Sequence, residues 1–422
     1  MKIFRVLFSL LLTGTILLFG IKPALAFCGF YVAKADSSLY NQASQVIIAR
    51  DGRRTVLTMS NDYQGEVKDF AMVVPVPVAI TKEQVKIADP KIIDRIDAFS
   101  APRLVEYFDR DPCYRPRASF GSSGRRGRRR ISQYTESDTA LGVTVEEKFS
   151  VGEYDILILS AKESDGLATW LNDNGYQLPQ DAEELLQPYI RQRMKFFVAK
   201  VNLEEFDSRG FEKLRPISIA YRSSKFMLPI RLGMTNAENE QDLIVYLLSS
   251  EGRTELTNYR TVEIPSRKEI PAFVENEFAD FYQATFETVY ENEDKQVAVL
   301  EYAWDMGSCD PCAADPLSQE ELKQAGVFWL DNKDDVYITR LHIRYTRKKF
   351  PEDLKFQFTS NTRNFQGRYI IRRPYEGETT CDDDDLKRYQ ERLVRRRERQ
   401  AETLAELTKW DLNEIREEMA KN

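Results

Sequence analysis

Short apolar runs separated by turn-forming residues fill most of the chain up to about residue 375. "SQVIIARDGRRTVLTMS" holds two such runs around Asp51-Gly52, and a type I′ turn needs positive φ at both central positions, so this stretch predicts a β-hairpin. In "DFAMVVPVPVAI", Pro75 and Pro77 stand two apart. Successive N–H groups of a strand point to alternate sides, so both missing donors lie on the same side, which predicts an edge strand. A helical pattern runs from about Asp89 to Phe108, with a break expected near Pro102. "ALGVTVEEKFSVGEYDILILSA" restores the strand pattern, with Gly152 at its turn. Ser164 can cap a short helix that Gly175 would close, and a second helix is expected over about Asp181 to Met194.

Further short strands follow in "KFFVAKVNL", "PISIAY", "FMLPIRL", "DLIVYLLS", "RTVEIP", "DVYITRLHIRYTR" and "RYIIRR". Between them, "AFVENEFADFYQATFETVY" reads as a helix with Phe273, Phe278, Phe281 and Tyr282 facing inward. Ser318 and Glu321 form a capping box for a short helix. The expected class is α+β, mainly antiparallel sheets with short helices and a long C-terminal amphipathic helix. That last helix occupies the charged segment 376–422, where Leu386, Tyr389, Leu393, Ala401, Leu404, Leu412, Ile415 and Met419 fall near helical spacing. Its apolar face is expected to pack on the body or to meet a partner helix.

The first 26 residues have a different character. A basic start with Lys2 and Arg5, the apolar run "VLFSLLLTGTILLFGI" and the small residues of "ALA" predict a secretory signal peptide over 1–26, cleaved before Phe27. The expected address is exported, periplasmic or extracellular, with no membrane span after cleavage. Three of the 60 bases lie in that segment, which leaves 57 against 67 acids and a mature formal charge of −10. One segment runs against that balance. Seven arginines lie between Arg115 and Arg130 among glycine and serine, in a basic loop assigned to 114–139. It could carry an anionic ligand, or be a solvated insertion. Only one aromatic, Phe120, falls among its arginines, so base stacking is not indicated and no nucleic-acid partner is expected.

Export changes the meaning of the five cysteines, because disulfides persist outside the cytosol. Cys309 and Cys312 form a C-x-x-C pair that could be a staple or a redox centre, and Cys28 with Cys113 are further disulfide candidates. A four-thiolate zinc site from these residues is a weak match to known spacings, and no metal or cofactor is expected. A thioredoxin-like pair sits at a helix start, whereas here the helix start expected at Ser318 lies six residues beyond Cys312. Cys381, before a run of aspartates, is the expected odd thiol.

One histidine, His342, serves the whole chain, which removes two-histidine zinc proteases. No nucleophile elbow, P-loop or dinucleotide turn is present. In "DVYITRLHIRYTR" the apolar parity changes after Ile338, which predicts a bulge near Thr339. Arg340, His342 and Arg344 then project from one face as a candidate anion-binding row, or as a solvated face paired with acids.

Taken in order, "FCGFYVAKAD", "FAMVVPVPV", "APRLVEYFDRDPC", "WLNDNGY", "LPIRLGM", "WDMGSCDPCAADPL" and "TRLHIRYT" resemble a family of exported bacterial proteins known as domain of unknown function 2330. The resemblance covers about 27–375 and includes Cys28, Cys113, Cys309 and Cys312 but not Cys381. It implies export and brings no catalytic residues with it. The expected protein is an exported, soluble, disulfide-stapled binding or structural protein of unknown specific activity. The alternatives are an oxidoreductase using the C-x-x-C pair and a hydrolase using acidic residues.

Overall fold

The computed structural model describes residues 43–60, 71–113, 144–173, 182–208, 214–233, 240–309, 314–333, 335–378 and 383–421. The expected signal peptide, the basic loop 114–139, Gly175, Cys28, Cys312 and Cys381 lie outside the described residues.

In chain order the strands begin with β1 (Ala43–Asp51), β2 (Arg54–Met59), β3 (Ala71–Val76), β4 (Val85–Ile87), β5 (Arg103–Phe108), β6 (Thr144–Val151), β7 (Tyr154–Ser160) and β8 (Lys195–Val201). Next come β9 (Ile217–Arg222), β10 (Met227–Leu228), β11 (Gln241–Ser249), β12 (Thr254–Leu256), β13 (Arg260–Glu263) and β14 (Lys268–Ile270). The series ends with β15 (Val297–Asp305), β16 (Tyr337–Tyr345), β17 (Leu354–Phe358), β18 (Phe365–Gln366) and β19 (Arg368–Arg373). The helices are α1 (Lys91–Ser100), α2 (Ser164–Asp173), α3 (Ala182–Arg191), α4 (Leu203–Ser208), α5 (Phe278–Asn292), α6 (Gln319–Gln324), α7 (Asp383–Thr408) and α8 (Leu412–Lys421).

The largest sheet has the order β13-β15-β16-β11-β1-β2-β9-β4, with β18 against β15. Most of its pairs are antiparallel, but β1 runs parallel to β11 and β13 to β15. Both faces are covered. One face, carrying Ile47, Tyr246, Val299, Tyr302 and Ile338, packs beneath α1, α5 and the Ala401–Leu407 part of α7. The other, carrying Val46, Val245, Leu300, Leu341 and Ile343, packs against the sheet β3-β8-β7-β6. The far side of that second sheet buries Phe196 and Val198 with Leu167 of α2 and Leu186 of α3. The result is a helix–sheet–sheet–helix stack, the α+β class expected from the pattern.

Local chemistry explains several elements. β3 is an edge strand, bonded only to β8, as Pro75 and Pro77 require. The first hairpin pairs Asp51 with Arg54, so its central residues are Gly52 and Arg53 rather than Asp51 and Gly52. Of the two only Gly52 has positive φ, +55°, which fits a II′ turn instead of the expected I′. The stretch 89–108 is not a helix with a kink. Pro102 drives Ala101 to an extended conformation (ψ 149°), α1 ends at Ser100, and Arg103–Phe108 becomes a strand parallel to β19. The Ser318/Glu321 capping box opens α6, and Gly326 (φ +94°) follows its end.

The C-terminal segment also departs from expectation. It forms two helices, not one. Lys409 turns left-handed (φ +64°), and Asp411 Oδ1 accepts from the backbone N–H groups of Asn413 and Glu414, starting α8. Leu404 and Ile415, one from each helix, are buried in the same core, so the segment packs back on the body.

Candidate functional site

β16 lies between β11 and β15 and alternates without interruption. Leu341, Ile343 and Tyr345 point to the two-sheet core, while Ile338, Arg340, His342 and Arg344 point beneath the helices. The change of apolar parity that predicts a bulge near Thr339 has another cause, since both faces of the strand are buried and apolar residues occur on both. The bulge is in the neighbouring strand. Leu300 pairs with Leu341 and Tyr302 with Arg340, leaving Glu301 as the extra residue of β15. It therefore shares the helix-covered face with Tyr302, where regular alternation would have separated the two.

That single insertion builds the site. Glu301 is fully buried, and its carboxylate accepts from Arg340 Nε (2.6 Å) and from the Tyr282 hydroxyl on α5. It also lies 3.0 Å from His342 Nδ1. Asp97 of α1 accepts from Arg340 Nη1 (2.7 Å) and from the Tyr246 hydroxyl (2.6 Å). Gln45 extends the chain of bonds by donating to that hydroxyl. On the other side of His342, Nε2 lies 3.0 Å from Asp242 Oδ1. Asp242 stands in register with Arg344 across the β11–β16 pair and receives its Nε and Nη2 at 2.9 and 2.8 Å. Arg344 completes the row with a bond to Glu287 of α5. The Phe286 ring stacks on the imidazole at 3.8 Å between centroids.

The arrangement fixes charge states. Both imidazole nitrogens face carboxylates, and a neutral ring has only one N–H to donate, so the geometry calls for the imidazolium. Burial opposes the charge on His342, but hydrogen bonds to Asp242 and Glu301, with their negative charges, more than offset it and hold its pKa above the ordinary value. Glu301 is held below the usual carboxylate range because Arg340 and His342 outweigh the cost of its burial. Burial dominates at Asp97 and raises its pKa despite Arg340 and Tyr246. Asp242 is half-buried, and hydrogen bonds and charge from His342 and Arg344 outweigh its desolvation and lower it strongly. Among the innermost groups, Arg340 and His342 balance Asp97 and Glu301.

The candidate row of Arg340, His342 and Arg344 is thus brought together on one face, but it faces protein rather than solvent. Its anions are Asp97, Glu301, Asp242 and Glu287. An external carboxylate or phosphate would have to displace one of them. Neither ring nitrogen keeps a lone pair for general-base work or metal ligation, because both carry protons. The residues that sequence reasoning missed are the acids. A signal for them exists: Glu301 is the lone charge within "VAVLEYAW", and Asp97 sits four residues after Ile93 on the apolar stripe of α1.

Cys113 and Cys309 lie among the described residues, both half-buried, and Cys309 packs against the helix-covered core. Cys309 follows the end of β15 in coil, well before α6 begins at Gln319. Among the described residues no cluster of His, Cys, Asp and Glu is arranged to hold a metal ion, and no helix is long and apolar enough to cross a membrane.

Comparison with known proteins adds one assignment. No curated protein matches the chain. Among solved structures, a mutated baculovirus P35 after caspase cleavage aligns with 51% of this chain and 72% of its own, at 9% identity and a TM-score of 0.24. That likeness is too low to carry any argument. The model of a bacterial family matches residues 22–357, from before Cys28 into β17, and it spans the whole buried network. The chain therefore belongs to the family described as "uncharacterized protein conserved in bacteria (DUF2330)".

Proposed function

We propose that the chain is an exported protein that acts by binding or as a structural element rather than by catalysis, with Cys28, Cys113, Cys309 and Cys312 bridged as staples. The observation that carries this reading is the saturation of His342. The chain's only histidine, and the arginines on either side of it, are engaged by internal carboxylates beneath two helices. A group arranged in this way organises a core and has no hydrogen-bonding capacity left for a substrate.

Two features support the reading of the cysteines. Cys309 lies in coil beyond the end of β15, and α6 begins only at Gln319, so Cys309 does not sit at a helix start as the first cysteine of a thioredoxin-like pair does. Cys309 packs against the helix-covered core, where a bridge would tie the end of β15 down. A bridge beside the core strand β15 would stabilise by about 2–4 kcal/mol.

The test is differential alkylation with mass spectrometry on the mature protein taken from its native compartment. The expected result is an N-terminus at Phe27, with Cys309 and Cys312 protected from alkylation in millimolar glutathione. A pair that opens readily under those conditions would overturn the staple in favour of thiol–disulfide exchange.

A further inference from the structure

The end of β5 and the first half of α7 enclose an open groove of about 590 Å³. Its two halves are pinned together by Asp109, whose carboxylate accepts from Arg396 Nη1 and Nη2 at 2.8 and 2.7 Å and from the Tyr389 hydroxyl at 2.8 Å. A second pair, Arg372 with Glu269, lies in the groove wall. These pairs neutralise two of the six lining arginines and leave Arg110, Arg392, Arg395 and Arg399. All four are exposed. Among the described residues, no carboxylate lies within ion-pair distance of Arg110, Arg392 or Arg399, and Arg395 reaches Glu391 only at 3.9 Å. One lining carboxylate, Asp111, has no ion-pair partner among the described residues, and it accepts from the Cys113 backbone N–H.

Spacing aligns these cations. Arg392, Arg395, Arg396 and Arg399 fall at i, i+3, i+4 and i+7 on one face of α7, about 10 Å from end to end. Arg110 faces them from the β5 side. The lining carries six arginines and three acids in a chain whose net charge is −7, so this is a local inversion of the protein's field. Guanidinium forks match oxyanions two bonds at a time, and several forks converging from two sides suit groups with three acceptor oxygens each.

We propose that the groove binds a ligand bearing two or more phosphate or sulfate groups, held along α7 by Arg392, Arg395 and Arg399 and closed from the other side by Arg110. The site goes beyond the reading given above and does not rest on it. The α7 arginines lie beyond the family match at 22–357, while Asp109, Arg110 and Glu269 lie within it.

Titration calorimetry of the full chain with tripolyphosphate, and separately with a sulfated oligosaccharide, tests the proposal. Binding of one equivalent is expected, weakening steeply between about 0.05 and 0.3 M salt. The double variant R392A/R399A and the single variant R110E should each lose about tenfold or more in affinity, while R54A, on β2, should leave it unchanged. Unaltered circular dichroism separates loss of the site from loss of fold. The tighter of the two probes identifies the oxyanion, and equal affinity assigns the site to both. Absence of binding to either probe, equal weakening in R54A, or a preference for polyglutamate over both probes would overturn the assignment.

Discussion

Replacing Glu301 with glutamine removes one negative charge from the centre of the buried network at nearly constant volume. The carboxylate stands 2.6 Å from Arg340 Nε and 3.0 Å from His342 Nδ1. At such distances each contact is worth about 6 kcal/mol in gross Coulomb terms at an effective dielectric near 20. Most of that is spent on the desolvation that charged groups suffer on burial. Breaking a buried pair by removing one partner costs about 3–5 kcal/mol, because the other charge is left uncompensated. Glutamine can still accept from Tyr282 or His342, but its amide then faces Arg340 Nε–H donor to donor. The expected loss for Glu301→Gln is about 3–5 kcal/mol.

The loss should depend on pH in a defined direction. With one of its two carboxylates gone, His342 binds its proton less tightly. The penalty is therefore largest below the imidazole pKa and shrinks at alkaline pH, where the ring is neutral in both proteins. Urea unfolding followed by tryptophan fluorescence reads this out, since Trp304 and Trp329 both pack in the helix-covered core. A loss smaller than about 1 kcal/mol at pH 6 with an unchanged denaturant slope would refute the account of Glu301 as the hub. So would a loss that is the same at pH 6 and pH 9.

Two further outcomes follow from the same geometry. The folded pKa of His342 is raised, so its stabilising contribution is complete below about 6.5 and is lost as pH rises through the folded value. Glu301 and Asp242 are lowered, so theirs is present above the unfolded carboxylate values and is lost as pH falls through the folded ones, with Asp97, which is raised, acting in the opposite sense. Melting temperature measured from pH 2 to pH 9 should fall at both ends, the acid loss lying below about pH 4, and His342→Gln should flatten only the alkaline side; unchanged alkaline slopes would contradict the imidazolium. Separately, Asp109→Asn should raise amide exchange in the first half of α7, where Arg396 and Tyr389 lose their shared acceptor, while Ala401–Leu407 stays protected by core burial. Uniform exchange along α7 would contradict that division.

The boundary between what the sequence reveals and what it hides follows burial. Elements bounded by turn, cap or proline residues are legible: the β1–β2 hairpin, the β6–β7 turn at Gly152, the edge strand β3 and the capping box of α6 are all found by this punctuation. In β15 and β16 that rule fails, because both faces are covered and apolar residues occupy both parities. Parity then looks like a phase slip in β16, while the true slip, at Glu301, is masked by apolar neighbours on each side. The two C-terminal helices read as one for a related reason. Neither glycine nor proline marks the break at Lys409, although Asp411 with Glu414 has the spacing of a helix start. Arg340, His342 and Arg344 were visible as a row, but a row of cations states only half of an interaction. Its other half comes from α1, β11, β15 and α5, and only the fold shows that these acids meet it in the interior. The exposed arginines of α7 are the opposite case. Their spacing is fully written in the sequence, and what the fold adds is that Asp109 silences one of them and leaves its neighbours facing an open groove.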